Sequence, residues 1–330
     1  QRADESLNDD KDGAGAIFRW QGNWELLGRG TSDTGRLQWR LEYRTDIGGQ
    51  SPSQLGSAIG TAALDSGFAY SPKFDLDFSV LNWTQGLANG RAGVVAGRLD
   101  FAAYLDAFVF QTFSRAFLNR ALLVNPTLGV TGVGALGIVA KGLVTDNVWI
   151  GGGIYDANAA SGEFDLDTIR EGEFLSNVEV GWFPSFARRA TDRVQFTFWN
   201  KDSRDQAGVP SGSGWVVSAS WQVTDTLLPF LRFGHSDGGA GVPAEDAVAL
   251  GLEAKMPRDS ALAFGFGWAK PSEKTFGPGL RDEYVVEVSY RLQLFRNLSL
   301  MPDIQLLIDP ADNPDDDRVW VVGLRAIFTI

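Results

Sequence analysis

Between Arg36 and Arg44 polar and apolar residues strictly alternate: Arg36, Gln38, Arg40, Glu42 and Arg44 share one face of an extended chain, and Leu37, Trp39, Leu41 and Tyr43 share the other. Three guanidinium groups on one strand face cannot all lie in a dry core, because a buried charge without a partner is strongly destabilising. That face therefore needs water. Guanidinium and carboxylate groups set around enclosed water create a transverse field, order the water and offer fork-like hydrogen bonds to a hydroxyl-rich solute. The same alternation selects Arg19, Glu25, Arg98, Asp100, Glu179, Arg232, Glu253, Lys255, Glu287, Arg291, Asp303 and Arg325 as further inward charges. Trp83 and Trp199 are expected to offer aromatic faces on which the apolar side of a sugar ring stacks. Together with Arg40, Glu42 and Arg44 these are the expected channel-lining residues. Against this stands the blander reading, in which each charge singly only solvates a wall while the set fixes its overall charge.

Other chemistry is poorly supported. The sole histidine, His235, adjoins Ser236, but successive residues on a strand point to opposite faces, so the two cannot form a catalytic pair. An enzyme is not expected. Asp312, Asp315, Asp316 and Asp317 are weak candidates for a Ca²⁺ site, without the spacing or glycine of an EF-hand loop; no cofactor is expected beyond a divalent ion at such acidic loops. The formal charge of −12 disfavours nucleic acid as a partner. Cysteine is absent, so disulfides and thiolate chemistry are excluded.

The elements that must position these charges are strands. Tyr284 to Leu294, Leu298 to Ile308 and Trp320 to Ile330 alternate with period two, each about a dozen residues long. At roughly 3.3 Å per residue and a tilt near about 45°, such a strand rises about 28 Å, the depth of a bilayer's hydrocarbon core. Strands of soluble sandwiches are commonly about half that length. There is no run of roughly eighteen apolar residues, so no transmembrane helix is expected, as suits a barrel whose alternation dilutes its hydropathy. Further strands are read at 16–26, 36–44, 74–85, 90–101, 128–141, 147–156, 174–183, 193–201, 214–224, 227–236, 246–256 and 261–270. Their connections alternate between tight turns (144–147, 224–226, 257–259, 295–297) and long polar loops (157–172, 202–213, 237–245, 271–281, 310–317). That sorting is the habit of outer-membrane barrels.

The fold class expected is all-β: a transmembrane antiparallel up-and-down β-barrel of about sixteen strands, fifteen of them readable, forming one domain over 1–330. Strand parity calls for one more strand before residue 15, expected upstream of Gln1 or, alternatively, within 55–71. Residues 1–14 read as a mobile polar lead-in. Segments 46–72 and 102–126 are candidate inward-folding loops, and 112–121 alone has helical spacing.

Tyr290-Arg-Leu-Gln-Leu294, Leu300-Met-Pro-Asp-Ile-Gln-Leu-Leu-Ile-Asp309 with the following Pro-Ala-Asp-Asn-Pro-Asp, and Val319-Trp-Val-Val-Gly-Leu-Arg-Ala326 resemble the C-terminal end of the carbohydrate-selective porins of the OprB family. Shorter matches occur at Gly35 to Arg44, Gly97 to Asp106, Phe117 to Asn119, Asp156 to Asn158 and Gly234 to Gly238. The chain departs from the common pattern in ending on Ile330, with Phe328 two residues earlier, where outer-membrane barrels usually end on an aromatic. The resemblance implies an integral protein of the Gram-negative outer membrane that passes small sugars by diffusion through an eyelet of arginines, acids and aromatics. It implies lipid and lipopolysaccharide as neighbours, and leaves monomer or homotrimer open. The alternatives are a channel for other small organic anions or nutrients, and a plugged structural or adhesive barrel.

Overall fold

In the computed structural model, which describes residues 1–8, 10–67, 73–164 and 166–330, the chain forms a single sheet of sixteen strands. They are β1 (Arg2–Ala3), β2 (Gly15–Leu27), β3 (Gly35–Asp46), β4 (Phe74–Leu87), β5 (Ala92–Leu99), β6 (Ala135–Leu143), β7 (Val148–Asp156) and β8 (Phe174–Trp182). Then come β9 (Arg193–Lys201), β10 (Gly212–Ser220), β11 (Leu227–Ser236), β12 (Ala244–Lys255), β13 (Ala261–Pro271), β14 (Glu283–Phe295), β15 (Leu298–Ile308) and β16 (Arg318–Phe328). From β2 to β16 every strand pairs antiparallel with its neighbours in sequence, and β1 lies beside β16. Three short helices are present among the described residues, α1 (Pro52–Ile59), α2 (Arg120–Leu123) and α3 (Glu273–Phe276), and none is long or apolar enough to cross a membrane.

The sheet curls on itself. On the segment between β5 and β6, Phe113 packs under the Arg19 guanidinium of β2, and its carbonyl accepts a hydrogen bond from Arg325 of β16. β2 and β16 are not laddered to each other. Arg2 pairs with Val322 on one side and bridges Asp12 on the other, so residues 1–13 cross the gap at one end of the wall. The place beside β16 is thus held by a two-residue strand inside the expected mobile lead-in, and residues 52–59 are helix, not the alternative strand.

Side chains divide as period two dictates. Trp20, Trp24, Phe78, Phe198, Phe233, Phe264, Trp320 and Leu324 are exposed on the outer face, whereas Glu42, Glu179, Arg232, Glu253, Glu287 and Arg325 are buried within. The contrast is sharpest between neighbours on β16: Leu324 is 67% exposed and Arg325 5%. At the short-turn end the outer face gathers aromatics, with Trp182 and Trp221 stacked at 5.9 Å and Phe295 and Phe328 exposed.

Two long connections lie inside the curve. Residues 100–134 build an apolar core of their own against the wall, in which Phe101, Phe108, Phe110, Phe117, Leu122 and Leu128 meet Tyr155, Trp199, Val216 and Phe230. Each such side chain removed from water contributes about 1.5–3 kcal/mol. Residues 128–134, expected to be strand, belong to this core, and β6 begins only at Ala135. The helical spacing at 112–121 yields only the single turn α2. Gly265 and Gly267 make room for it, since a Cβ there would come within 2.6 Å of Leu122 and 2.8 Å of Ala121. The second connection carries α1, which starts in a capping box formed by Ser51 and Gln54 and ends at a left-handed Gly60. Leu55, Ile59 and Leu64 pack against Val285, Leu307, Val319 and Val321. The remainder of this expected inward loop, 68–72, falls outside the described residues.

Candidate functional site: the interior wall and its inward loops

Backbone groups that fold inside a sheet must find partners there, because an unmatched buried N–H or C=O costs about 1–3 kcal/mol. The inward charges on the later strands meet that need. Glu283 accepts hydrogen bonds from the backbone N–H groups of Ala62 (2.6 Å), Ala63 (2.7 Å), Leu64 (2.9 Å) and Ala311 (2.9 Å). Glu287 accepts from Leu118 N at 2.8 Å and Asn119 N at 3.0 Å. Glu179 accepts from Asp106 N (2.5 Å), Lys141 Nζ (2.6 Å) and Thr197 Oγ1 (2.9 Å). Arg325 donates to the carbonyls of Phe113, Ala116 (2.7 Å) and Phe117 (3.3 Å). Arg232 pairs with Asp106, donates to Leu123 O at 3.3 Å and lies 4.6 Å over the Phe108 ring. Glu253 pairs with Arg115 at 2.6 Å, and Gln305 Nε2 donates to Ser66 O at 2.9 Å and contacts Asp303 at 3.5 Å. These side chains are loop clamps, shielded from water by the segments they hold.

The early strands carry a different arrangement. Glu42, fully buried, is the common acceptor for Arg19 (2.5 Å), Arg44 (2.6 Å) and Arg40 (3.3 Å). Arg40 reaches onward to Ser79 Oγ at 2.7 Å and Asp100 at 2.9 Å. Three guanidinium groups share one carboxylate, and the resulting plate faces the inward loop, with Arg19 5.1 Å from the Phe113 ring and Arg44 4.9 Å from that of Phe74. Tyr104 stands near this plate; burial, followed by the charge of Asp100, pushes its phenol pKa up, so it stays a neutral hydroxyl at physiological pH.

Glu42, Glu179 and Glu253 are buried, while the cations paired with them are less covered: the side chains of Arg19 and Lys141 remain 32% exposed and that of Arg115 26%. Other inward cations, Arg44, Arg98, Arg232 and Arg325, are as buried as the acids.

Several expected positions are corrected. Trp83 pairs directly with Leu37 and so shares the outer face of Leu37 and Trp39, because phase slips between β3 and β4 move it off the inner wall. Trp199 does point inward, but it is fully buried against Gly129, where a Cβ would fall 2.5 Å from its ring, and offers no stacking face. Arg98 is covered rather than water-lining: it pairs with Asp77 at 2.8 Å under the ring of Phe164. Glu25 and Lys255 are exposed at the short-turn end and Arg291 half-buried, none with an ion-pair partner among the described residues. The acidic 310–317 loop does not gather as a Ca²⁺ site. Asn313 caps the backbone N–H groups of Asp315 and Asp316, Asp317 pairs with Arg281 at 2.7 Å, and Asp312 N is bound to Gly60 O. Among the described residues no three acids or histidines are grouped to hold a metal. His235 lies on the outer face with Nδ1 2.7 Å from Asp246, while the Ser236 hydroxyl points inward to Ala244 O. The clamps missed from sequence are Glu283, Gln305, Asp106 and Arg115; alternation marks the first two, and nothing local marks the loop residues.

Residues 186–330 match the family described as "Carbohydrate-selective porin, OprB family". Among curated proteins, Porin AaxA of Chlamydia abortus is 24% identical over 64% of this chain and 48% of its own length. Porin AaxA of Chlamydia caviae is 22% identical over 93% of this chain and 68% of its own. The chain thus spans about half the length of the first of these relatives. Among solved structures, the high-pH form of Pseudomonas putida OprB superposes with a TM-score of 0.78 at 17% identity, covering 98% of this chain and 90% of that one. Variants of the Rhodopseudomonas blastica porin superpose at about 0.55 and 10–12% identity, covering 95% of this chain and 90% of theirs.

Proposed function

We propose that this chain, whose residues 186–330 match the carbohydrate-selective porin family OprB, is an outer-membrane barrel through which small solutes, sugars foremost, cross by passive diffusion. The observation that carries this reading is the orientation of the wall: apolar and aromatic side chains outward, ionic ones inward. Lipid accepts the outer face without cost, and the two inward loops narrow the inner space from the side of the later strands. The passage left runs along the Arg19, Arg40 and Arg44 plate, with Gln38, Thr84 and Tyr104 beside it. Guanidinium groups held rigidly by Glu42 and Asp100 present N–H donors to hydroxyls at no reorganisation cost. A cationic, fixed lining favours neutral and weakly anionic solutes over cations. The match of residues 186–330 to a porin family supports a channel over an enzyme.

The test is single-channel recording in planar bilayers. The expected result is a steady current that glucose or a maltooligosaccharide blocks in a concentration-dependent way. No current at all would identify a plugged barrel; current indifferent to sugars would identify a channel for other nutrients.

A further inference from the structure

A cleft of about 540 Å³ opens on the interior at the short-turn end, between β5, β6, β7 and the 183–192 turn. Lys141 and Arg193 share strand parity with the buried Val139 and Thr197, and Trp149 with Tyr155, so the cleft faces the lumen. It is far from neutral. Arg91 is paired with Asp146 at 2.7 Å and Lys141 with Glu179 at 2.6 Å, Lys141 also lying 4.7 Å from the Trp149 ring. Arg189 and Arg193 have no carboxylate partner among the described residues. Arg189 donates to Phe186 O at 2.5 Å and stacks 3.7 Å from its ring, and Arg193 donates to Ala107 O while its buried Nε has no hydrogen-bond partner. Four cations therefore face three acids, Asp146, Glu179 and the Asp106 whose charge acts on Arg193, around the indole of Trp149 and the half-exposed ring of Phe186.

We infer that this cleft is an exit subsite for a monosaccharide bearing one carboxylate or phosphate, a group a neutral sugar lacks. A guanidinium fork matches a two-oxygen anion bidentately, and Arg189 and Arg193 are the two forks left without one. An aromatic face accepts the C–H side of a pyranose while the ring hydroxyls stay wet. The volume suits one or two sugar rings. Such a site holds acidic sugars at the short-turn end. This inference rests on the porin reading, and its test reads binding without requiring current.

The experiment is equilibrium dialysis of the full chain folded in detergent, with glucuronate, glucose 6-phosphate and glucose as separate ligands. Either anion is expected to bind about tenfold more tightly than glucose. Arg189→Gln, in a turn and clear of the inward loops, is expected to erase that preference; Arg193→Lys, which keeps a charge but loses the fork, is expected to weaken it. A larger effect of one anion identifies whether carboxylate or phosphate is the natural group. Equal binding of all three ligands, or a preference that survives both substitutions, overturns the subsite. Loss of conductance with the preference intact would instead overturn the channel reading alone.

Discussion

Glu42 holds the interior together at its most charged point. One buried carboxylate answers three arginines, and losing a buried partner of this kind costs about 3–5 kcal/mol. Arg19, with its side chain 32% exposed, meets water more than Arg40, which is 13% exposed and shared with Asp100. Arg40→Glu is expected to move ion selectivity toward cations, read as a shifted reversal potential across a salt gradient; an unchanged potential would put the lining elsewhere. Asp65 gives the residue scale a pH dependence. Buried beside Ser53, Gly67 N and Arg120, its carboxyl is pushed up to about 6, burial being the main cause. Between about 4 and about 6 the folded state holds the proton more tightly than the unfolded chain does. The inward loop is therefore expected to gain stability as pH falls through 6 and to lose it as pH rises toward 7. Hydrogen-exchange protection of 51–67, corrected for intrinsic pH dependence, is expected to increase from pH 7 to pH 5, and to be flat in Asp65→Asn.

At the scale of elements, the wall and the loops obey different rules. Period two is a local property of each strand, which is why β14, β15 and β16 are legible from their residues alone, together with which face of each is ionic. Trp83 lies outside because the register slips between β3 and β4. The interior core of 100–134 is written without periodicity: Phe108, Phe110 and Phe117 find one another and Phe230 only through the fold. Hence Glu179, Arg232, Glu253, Glu287 and Arg325 read as water-lining from sequence and are in fact clamps for the inward loop, since the groups they bind lie as far as 212 residues away. β1, two residues long, carries no readable pattern. The fit of α2 against β13 yields a prediction of its own. Gly265→Val places new carbons where Leu122 and Phe117 already lie, and overpacking of this kind costs about 1–3 kcal/mol. The wall tolerates it, so the loop moves: single-channel current is expected to become noisier, with the sheet's circular dichroism unchanged. A quiet current at the native level would show that α2 does not depend on that glycine.

At the scale of the molecule, orientation and charge combine. Acids and cations alike are buried beneath the inward loops, Glu179, Glu287, Arg232 and Arg325 among them, while Arg19, Lys141 and Arg115 stay part-exposed. Two linked devices follow: an outer surface that only an apolar medium suits, and an inner passage bounded by arginines on one side and clamped loops on the other. The absence of cysteine in the native sequence makes this directly testable, because any thiol introduced is the sole one. Gln38→Cys and Leu324→Cys, reconstituted in a planar bilayer, are treated with a charged, membrane-impermeant methanethiosulfonate while single-channel current is recorded. The account predicts a stepwise loss of current for Gln38→Cys, whose side chain lies beside Arg40 on the inner wall, and no change for Leu324→Cys, which reacts only with a lipid-soluble maleimide. Block at Leu324→Cys with Gln38→Cys silent would contradict it.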